Sequence, residues 1–392
     1  MAMPAGDPQF ADPQFADPQF ADPQFADAGQ SLREATDAGL IARSQAPLNC
    51  ELAPEALTGE VTETRRFFRR NHFPMPRLNP STYRLEVSGL VRRNLSVSLA
   101  DLRRLPCASI TVTLECAGNG RDRFSPEVPG ERWGLGAVST ARWTGSRLCD
   151  VLAQAGVRPE ARETIFHGAD GGHVDDRPEP ICFERSLSVR DAGAPEVLLA
   201  YEMNGEPLPV RHGFPVRLIV PGWYAVTAVK WLTGITLAAD PFRGYFQDDH
   251  YVYEWEQRPG TEREPVRRQR VRAIIADPAE GRRVPPGDLL IRGVAWSGEA
   301  PVDQVEVSVR SSGRASPHDP AGGGWQRAEL TGPETRFGWR GWQVMAWGIP
   351  AGRVTIRARA VDGAGHDQLI RPEWNSRGYG GNFVHEVSVR AG

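Results

Sequence analysis

The run Thr113-Leu-Glu-Cys-Ala-Gly-Asn-Gly-Arg121 joins one thiol to small, turn-forming residues and ends on an arginine. Small residues beside a cysteine let a bulky group approach its sulfur. A nearby guanidinium favours the thiolate, which is the metal-binding form. A single soft ligand with no partner Cys or His does not make a zinc site; it suits a metal whose other ligands come from a cofactor. A buried structural cysteine on a strand face also satisfies the local pattern. Other segments are as open. Arg69-Arg70-Asn71-His72 taken alone reads as a solvated loop, and His212-Gly-Phe-Pro-Val-Arg217 as an anion-binding turn or a packed loop. Tyr251 and Tyr253 suit a strand or an interface, and Arg340 could stack between Trp339 and Trp342. Lys230 is the only lysine beside 45 arginines. A GC-rich coding sequence explains that bias, yet the lone ammonium stands out.

Regular elements must hold these groups. Tyr83, Leu85 and Val87 alternate with polar residues up to Gly89, which predicts a half-buried strand. Ile110, Val112, Leu114 and Cys116 predict a second strand with one apolar face and the cysteine as its last inward residue. Ser98 with Asp101 forms a weak capping box for a short helix ended by Pro106. Ser146 is the expected cap of another, with Leu148, Val151, Leu152 and Ala155 on one face and Gly156 as its stop. Mixed strands and short helices over residues 46–265 predict an α+β domain. The polar run 259–270 reads as a linker. Beyond it the helical signal vanishes. Seven strand-like runs, near 270–276, 289–296, 303–310, 325–330, 340–347, 353–361 and 383–390, predict an all-β immunoglobulin-like sandwich over 270–392.

The amino terminus differs. Asp-Pro-Gln-Phe-Ala recurs from Asp7, Asp12, Asp17 and Asp22. Proline every fifth residue blocks a helix, and one Phe per repeat is too little apolar surface to order the chain. Residues 1–45 therefore read as a disordered tail outside any core. With 46 basic and 49 acidic residues the net charge is −3, which disfavours nucleic-acid and anionic-membrane partners. No apolar run spans a bilayer, and the start does not resemble a secretory signal. Five cysteines without a C-x-x-C pair argue against a disulfide framework, so a reducing cytoplasm is expected.

Taken jointly and in order, these segments resemble the sulfite oxidase family of molybdopterin enzymes. The likeness starts near Pro47. It includes Arg70-Asn-His-Phe-Pro-Met-Pro, Thr113-Leu-Glu-Cys-Ala-Gly-Asn, Arg147-Leu-Cys-Asp-Val-Leu, Val197-Leu-Leu-Ala-Tyr-Glu-Met-Asn-Gly, His212-Gly-Phe-Pro-Val-Arg, Val229-Lys-Trp-Leu and Trp339-Arg-Gly-Trp-Gln. The resemblance implies an α+β molybdenum-cofactor domain followed by an immunoglobulin-like dimerisation domain. It implies Cys116 as the protein's ligand to molybdenum, with Phe68, Asn71, His72, Asp170, His212, Arg217, Ala228 and Lys230 around molybdopterin. It implies Arg70, Arg121 and Arg340 as the arginines that bind sulfite, with Trp133 as an aromatic wall and Tyr251 as a hydrogen-bonding phenol. The implied reaction is oxidation of sulfite to sulfate by oxygen-atom transfer, with dioxygen or a separate cytochrome as electron acceptor. The cytochrome b5 motif His-Pro-Gly-Gly of animal members is missing from this sequence, so no haem is expected. Gly120, Pro129 and Val252 depart from the residues expected there, namely Arg, Lys and a basic residue.

Two alternatives bear on function: another oxotransferase of the superfamily, such as a nitrate reductase, or a non-catalytic binding protein on this fold. Arg340 favours sulfite, and the presence of Cys116 disfavours the scaffold. Assembly follows from patterning. Val302, Val305, Val307, Val309, Trp347 and Ile349 exceed what one thin sandwich is expected to bury, which predicts a covered outer face and a two-fold homodimer.

Overall fold

The computed structural model describes residues 26–255, 263–311, 324–371 and 373–392. Three of the four repeats lie wholly outside these residues, and the fourth enters them only at Ala26. The expectation of disorder up to residue 45 fails for the second half of that segment. Once the prolines stop, Ala26–Asp37 forms a helix, Gly39 turns the chain at φ 75°, and Ile41–Gln45 pairs antiparallel with Leu48–Glu51. Ala35, Ala38 and Leu40 are buried beside Leu48, Cys50, Leu52 and Leu57.

Two five-stranded sheets organise the next two hundred residues. One runs in the order Glu206–Pro207, Leu198–Met203, Val138–Arg147, Cys107–Glu115, with Arg217–Ile219 also paired to Leu198–Met203. The other runs Leu95–Val97, Leu85–Gly89, Leu232–Ala238, Glu163–Gly172, Ile181–Ser188. Within it Leu85–Gly89 and Leu232–Ala238 are parallel. Helices are few and short, so this part is mostly β where an α+β balance was expected. Leu99–Leu102 carries the predicted capping box between Ser98 and Asp101. Leu148–Ala155 buries Leu148, Val151, Leu152 and Ala155 and stops at left-handed Gly156. Its N-cap is Arg147, not Ser146. Ser146 is still in the strand, and its hydroxyl donates to the Leu102 carbonyl at 2.6 Å.

The strand Cys107–Glu115 decides where the site lies. Val112, Leu114 and the following Cys116 face one cluster with Phe67, Phe68, Trp133 and Trp143. The opposite face was expected to be solvated, yet Thr113 and Glu115 are buried as well. Gln269 donates to the Thr113 carbonyl at 2.9 Å, and Trp296 donates to Glu115 at 2.9 Å. The carboxy-terminal strands therefore cover the back of the cysteine-bearing strand.

Those strands form two further sheets. Arg272–Asp277, Gly287–Trp296, Arg340–Ile349 and Glu329–Thr331 make the first; Arg283–Val284, His385–Ala391, Gly352–Asp362, Val302–Ser311 and Gln326–Arg327 make the second. One apolar cluster takes residues from both, among them Ile275, Ile291, Trp342, Val354, Ile356 and Val387. Val302, Val305, Val307 and Ile349 are buried in it and Val309 packs against it. The expected apolar excess thus fits inside. Only Trp347 of that group stays open, at 58% exposed.

Candidate active site

Cys116 follows directly on the strand end. Its amide donates to the Ala137 carbonyl at 2.9 Å, and the Asn119 amide donates back to the Cys116 carbonyl at 2.9 Å, closing a tight turn. Cys116 borders two cavities. One, with about 630 Å³ of empty space counting its opening to solvent, is lined by Phe68, Arg69, Arg70, His72, Asp170, Arg211, His212, Arg217, Ala228, Lys230 and Tyr251, among others. The second, of about 420 Å³, is lined by Arg70, Arg121, Trp133, His250, Tyr251, Arg377 and Tyr379 with residues 129–131. Arg70, Cys116 and Tyr251 belong to both walls.

The larger cavity is rich in donors that lack acceptors. Arg217 donates to the His212 carbonyl at 3.2 Å and lies over Trp143. Its Nε, and those of Arg69 and Arg211, are buried without a hydrogen-bond partner. Burial lowers Arg217 to about 9. Lys230 donates to the Arg70 carbonyl at 3.1 Å and to the Asn71 side-chain oxygen. Burial pushes Lys230 down and Asp170 up, and the attraction between them opposes both shifts. Burial, then Arg217, holds His212 below the usual imidazole range. So many desolvated cations are costly without a counter-anion. Asn71 borders this wall from behind, its side chain donating to the Leu48 carbonyl at 3.1 Å. The donor set, the cysteine sulfur and the aromatic walls of Phe68 and Phe183 fit an anionic, ring-bearing cofactor that brings a soft metal to Cys116.

The smaller cavity is built around Arg121. Its guanidinium donates to the Arg377 carbonyl at 3.2 Å and the Glu131 carbonyl at 3.1 Å, and lies 4.9 Å from the Tyr379 ring centroid. Three glycines make room for it. A Cβ on Gly118 would stand 2.7 Å from the guanidinium, and one on Gly130 2.9 Å. One on Gly378, at φ 62°, would stand 3.2 Å from Arg121 Cγ. The small residues after Cys116 therefore admit this arginine. Tyr251 and His72 join through their side chains at 2.7 Å, and Tyr251 stacks on Tyr379. Burial raises the Tyr251 phenol, and burial with Arg70 lowers His72, so the pair is held uncharged. Burial also raises the Cys116 thiol, outweighing the pull of Arg70 and Arg121. The arginines alone do not produce a thiolate here; a metal would.

One assigned arginine does not belong. Arg340 opens the strand Arg340–Ile349, pairs with Glu334 at 3.5 Å and borders neither cavity. Arg377 lines the smaller cavity instead, anchored by Glu254 at 3.4 Å and donating to the Asp249 carbonyl at 3.3 Å. The tryptophans around Arg340 drew attention away from the glycine-rich run Trp374-Asn-Ser-Arg-Gly-Tyr-Gly-Gly, whose turns bring Arg377 and Tyr379 to the cavity. Arg69, Arg211 and His250 were likewise missed as lining residues; each adjoins an assigned one in the sequence.

Two family models match the chain: an oxidoreductase molybdopterin-binding domain over residues 72–246 and a Mo-co oxidoreductase dimerisation domain over 263–392. Mitochondrial sulfite oxidase of Rattus norvegicus is 40% identical over 367 residues, covering 88% of this chain and 65% of that protein. The chain thus spans about two thirds of the mammalian relative's length. Sulfite oxidase of Arabidopsis thaliana is 32% identical, covering 88% of this chain and 92% of that protein. The crystal structure of the sulfane dehydrogenase SoxCD from Paracoccus pantotrophus superimposes with a TM-score of 0.77 at 24% identity, covering 98% of this chain and 97% of that one, a likeness of fold. On these matches the chain belongs to the sulfite oxidase family of molybdopterin oxidoreductases.

Proposed function

We propose that the protein oxidises sulfite to sulfate with a molybdenum–molybdopterin cofactor held on Cys116. The observation that carries this reading is the position of Cys116 in the walls of both a cation-rich cavity and an arginine-lined one. Bound in the larger cavity, the cofactor would supply two-electron redox chemistry and oxygen-atom transfer. Phe68, Asn71, His72, Asp170, His212, Arg217, Ala228 and Lys230 would hold it, with Arg69 and Arg211 as further cations.

The protein's own part is binding and charge. Sulfite is a small dianion, and Arg70, Arg121 and Arg377 converge on the smaller cavity with donors for its oxygens. Tyr251, kept protonated by burial, can donate its O–H to an anion oxygen while accepting from His72. Trp133 is fully buried and closes the wall against water. The net reaction takes sulfite and water to sulfate, two protons and two electrons. The acceptor of those electrons is dioxygen or a separate cytochrome.

Residues 46–265 would form the cofactor domain. We further propose that residues 270–392 form an immunoglobulin-like sandwich and mediate a homodimer. The description of the matching family model and the exposed Trp347 support this. A cytoplasmic location suits five cysteines without disulfides. Steady-state assay of the molybdenum-loaded chain tests the activity: sulfite-dependent reduction of cytochrome c or uptake of oxygen is expected, whereas nitrate reduction without sulfite oxidation would replace this reading.

A further inference from the structure

Behind Cys116, on the side away from both cavities, a carboxylate is sealed between two parts of the chain. Glu115 is 1% exposed and Arg272 3%. Arg272 Nη1 reaches Glu115 Oε1 at 2.8 Å and donates to the Asn119 carbonyl at 3.0 Å. The Asn119 amide side chain donates to the same carboxylate oxygen at 3.0 Å, and Trp296 Nε1 donates to the other at 2.9 Å. Asn119 in turn accepts from the Ala137 amide at 3.1 Å, beside the carbonyl that receives the Cys116 amide. The cysteine turn thus begins on one member of a buried ion pair, Glu115, and is hydrogen-bonded to both members at its far end, Asn119; half of that pair comes from the carboxy-terminal sheets.

Gly120 supplies an independent observation. It sits at φ 83°, and a Cβ there would stand 2.6 Å from Arg272 Nη2. The turn after the cysteine is therefore shaped to admit a guanidinium from the other sheet, and any side chain at position 120 would displace it. We propose that Glu115 and Arg272 are positioning residues that fix the direction of the Cys116 sulfur, so that the carboxy-terminal part of the chain braces the ligand turn as well as supplying Arg377 and Tyr379 to the cavity wall. This rests on the reading of Cys116 as the metal ligand. Burial makes the pair exacting: an ion left alone in that place carries the full desolvation penalty, whereas removing both charges together leaves no unpaired ion behind.

Three full-length variants test it: Glu115→Gln, Arg272→Gln and the double Glu115→Gln/Arg272→Gln. Each is studied at a temperature well below its melting point. In cofactor-free protein the rate at which iodoacetamide modifies Cys116, read by peptide mass mapping, reports the turn without any turnover. Arg272→Gln is expected to raise that rate roughly tenfold or more as the turn loosens. In loaded protein it should lower kcat for sulfite roughly tenfold while KM moves less than about threefold, because the anion-binding arginines are untouched. The double variant should recover both readouts to within about threefold of wild type. If Arg272→Gln melts lower yet keeps its Cys116 modification rate and kcat within about twofold of wild type, the pair is merely structural and the proposal falls. Should Arg272→Gln fail to fold, Glu115→Gln decides in its place: a Cys116 modification rate raised roughly tenfold with a lowered kcat supports the proposal, and both readouts within about twofold of wild type overturn it. If wild-type protein shows no sulfite turnover, the functional reading fails, and the modification rates still decide the positioning claim.

Discussion

Arg121 shows how residues of this site are recruited. Its guanidinium needs two glycines, at 118 and 130, to reach its two carbonyl acceptors and the Tyr379 ring. Replacing Arg121 or Arg377 by Gln removes a charged contact worth about 1.5–3 kcal/mol, so kcat/KM for sulfite should fall roughly 10- to 200-fold. Arg340→Gln touches neither cavity and should change it less than about twofold. Steady-state kinetics on the three variants checks the substitution of Arg377 for Arg340, and a large loss with Arg340→Gln would contradict it. Cys116→Ser should abolish turnover with the fold intact, since a hydroxyl is a harder and far less acidic ligand than a thiol; circular dichroism alongside the assay separates the two. His385 carries a pH effect away from the cavities. Its Nδ1 accepts from the Ile275 amide at 2.9 Å, and burial lowers the ring to about 3. Below pH about 6.5 the unfolded ring binds a proton that the folded one refuses, so stability falls with pH, by about 1.4 kcal/mol per unit through this group. His385→Asn lacks that contribution. Denaturant melts at pH about 5.5 and about 4.5, both below the unfolded value and above the folded one, should show the gap between wild type and variant narrowing by about that amount; a constant gap would refute it.

Among the elements, alternation was the most legible feature. The strand of Ile110, Val112 and Leu114 and six of the seven carboxy-terminal runs were readable because a period of two is a local property, whereas the run near 325–330 divides into Gln326–Arg327 and Glu329–Thr331, which join different sheets. What covers the second face of a strand is not local. Thr113 and Glu115 look solvated in sequence and are buried only because Gln269 and Trp296 arrive from 150 residues away or more. The cap of Leu148–Ala155 was misread for a related reason: Ser146 is drawn into the strand Val138–Arg147 and spends its hydroxyl on Leu102. The helix Ala26–Asp37 was hidden by the prolines of the repeats beside it. Ala35, Ala38 and Leu40 bury against Leu48, Leu52 and Leu57, and Glu34 lies 3.8 Å from the cavity arginine Arg211. Deleting residues 1–45 should therefore destabilise the protein by about 2–4 kcal/mol relative to deleting 1–25, as apolar contacts are lost. Equal melting temperatures for the two truncations would show that this helix and strand add nothing.

At the scale of the whole molecule, the cofactor cavity faces one side of the cysteine-bearing strand and the carboxy-terminal sheets brace the other. The candidate site was legible largely through the joint order of its segments, since no single motif separated a ligand cysteine from a core cysteine. Arg377 stayed hidden because a turn-rich run has no periodicity to read. Assembly is testable at this scale. The apolar excess expected to cover a dimer face is mostly internal, so the proposed homodimer stands on the dimerisation-domain match and Trp347. Light scattering should give a mass near two chains, and a mass near one chain at micromolar concentration would exclude the dimer. The account as a whole turns on one measurement: sulfate formed from sulfite by purified, molybdenum-loaded protein, with electrons collected by cytochrome c or dioxygen. One sulfate per two electrons, lost in Cys116→Ser, is the predicted result. Full molybdenum loading without sulfate formation, or unchanged sulfate formation in Cys116→Ser, would contradict it.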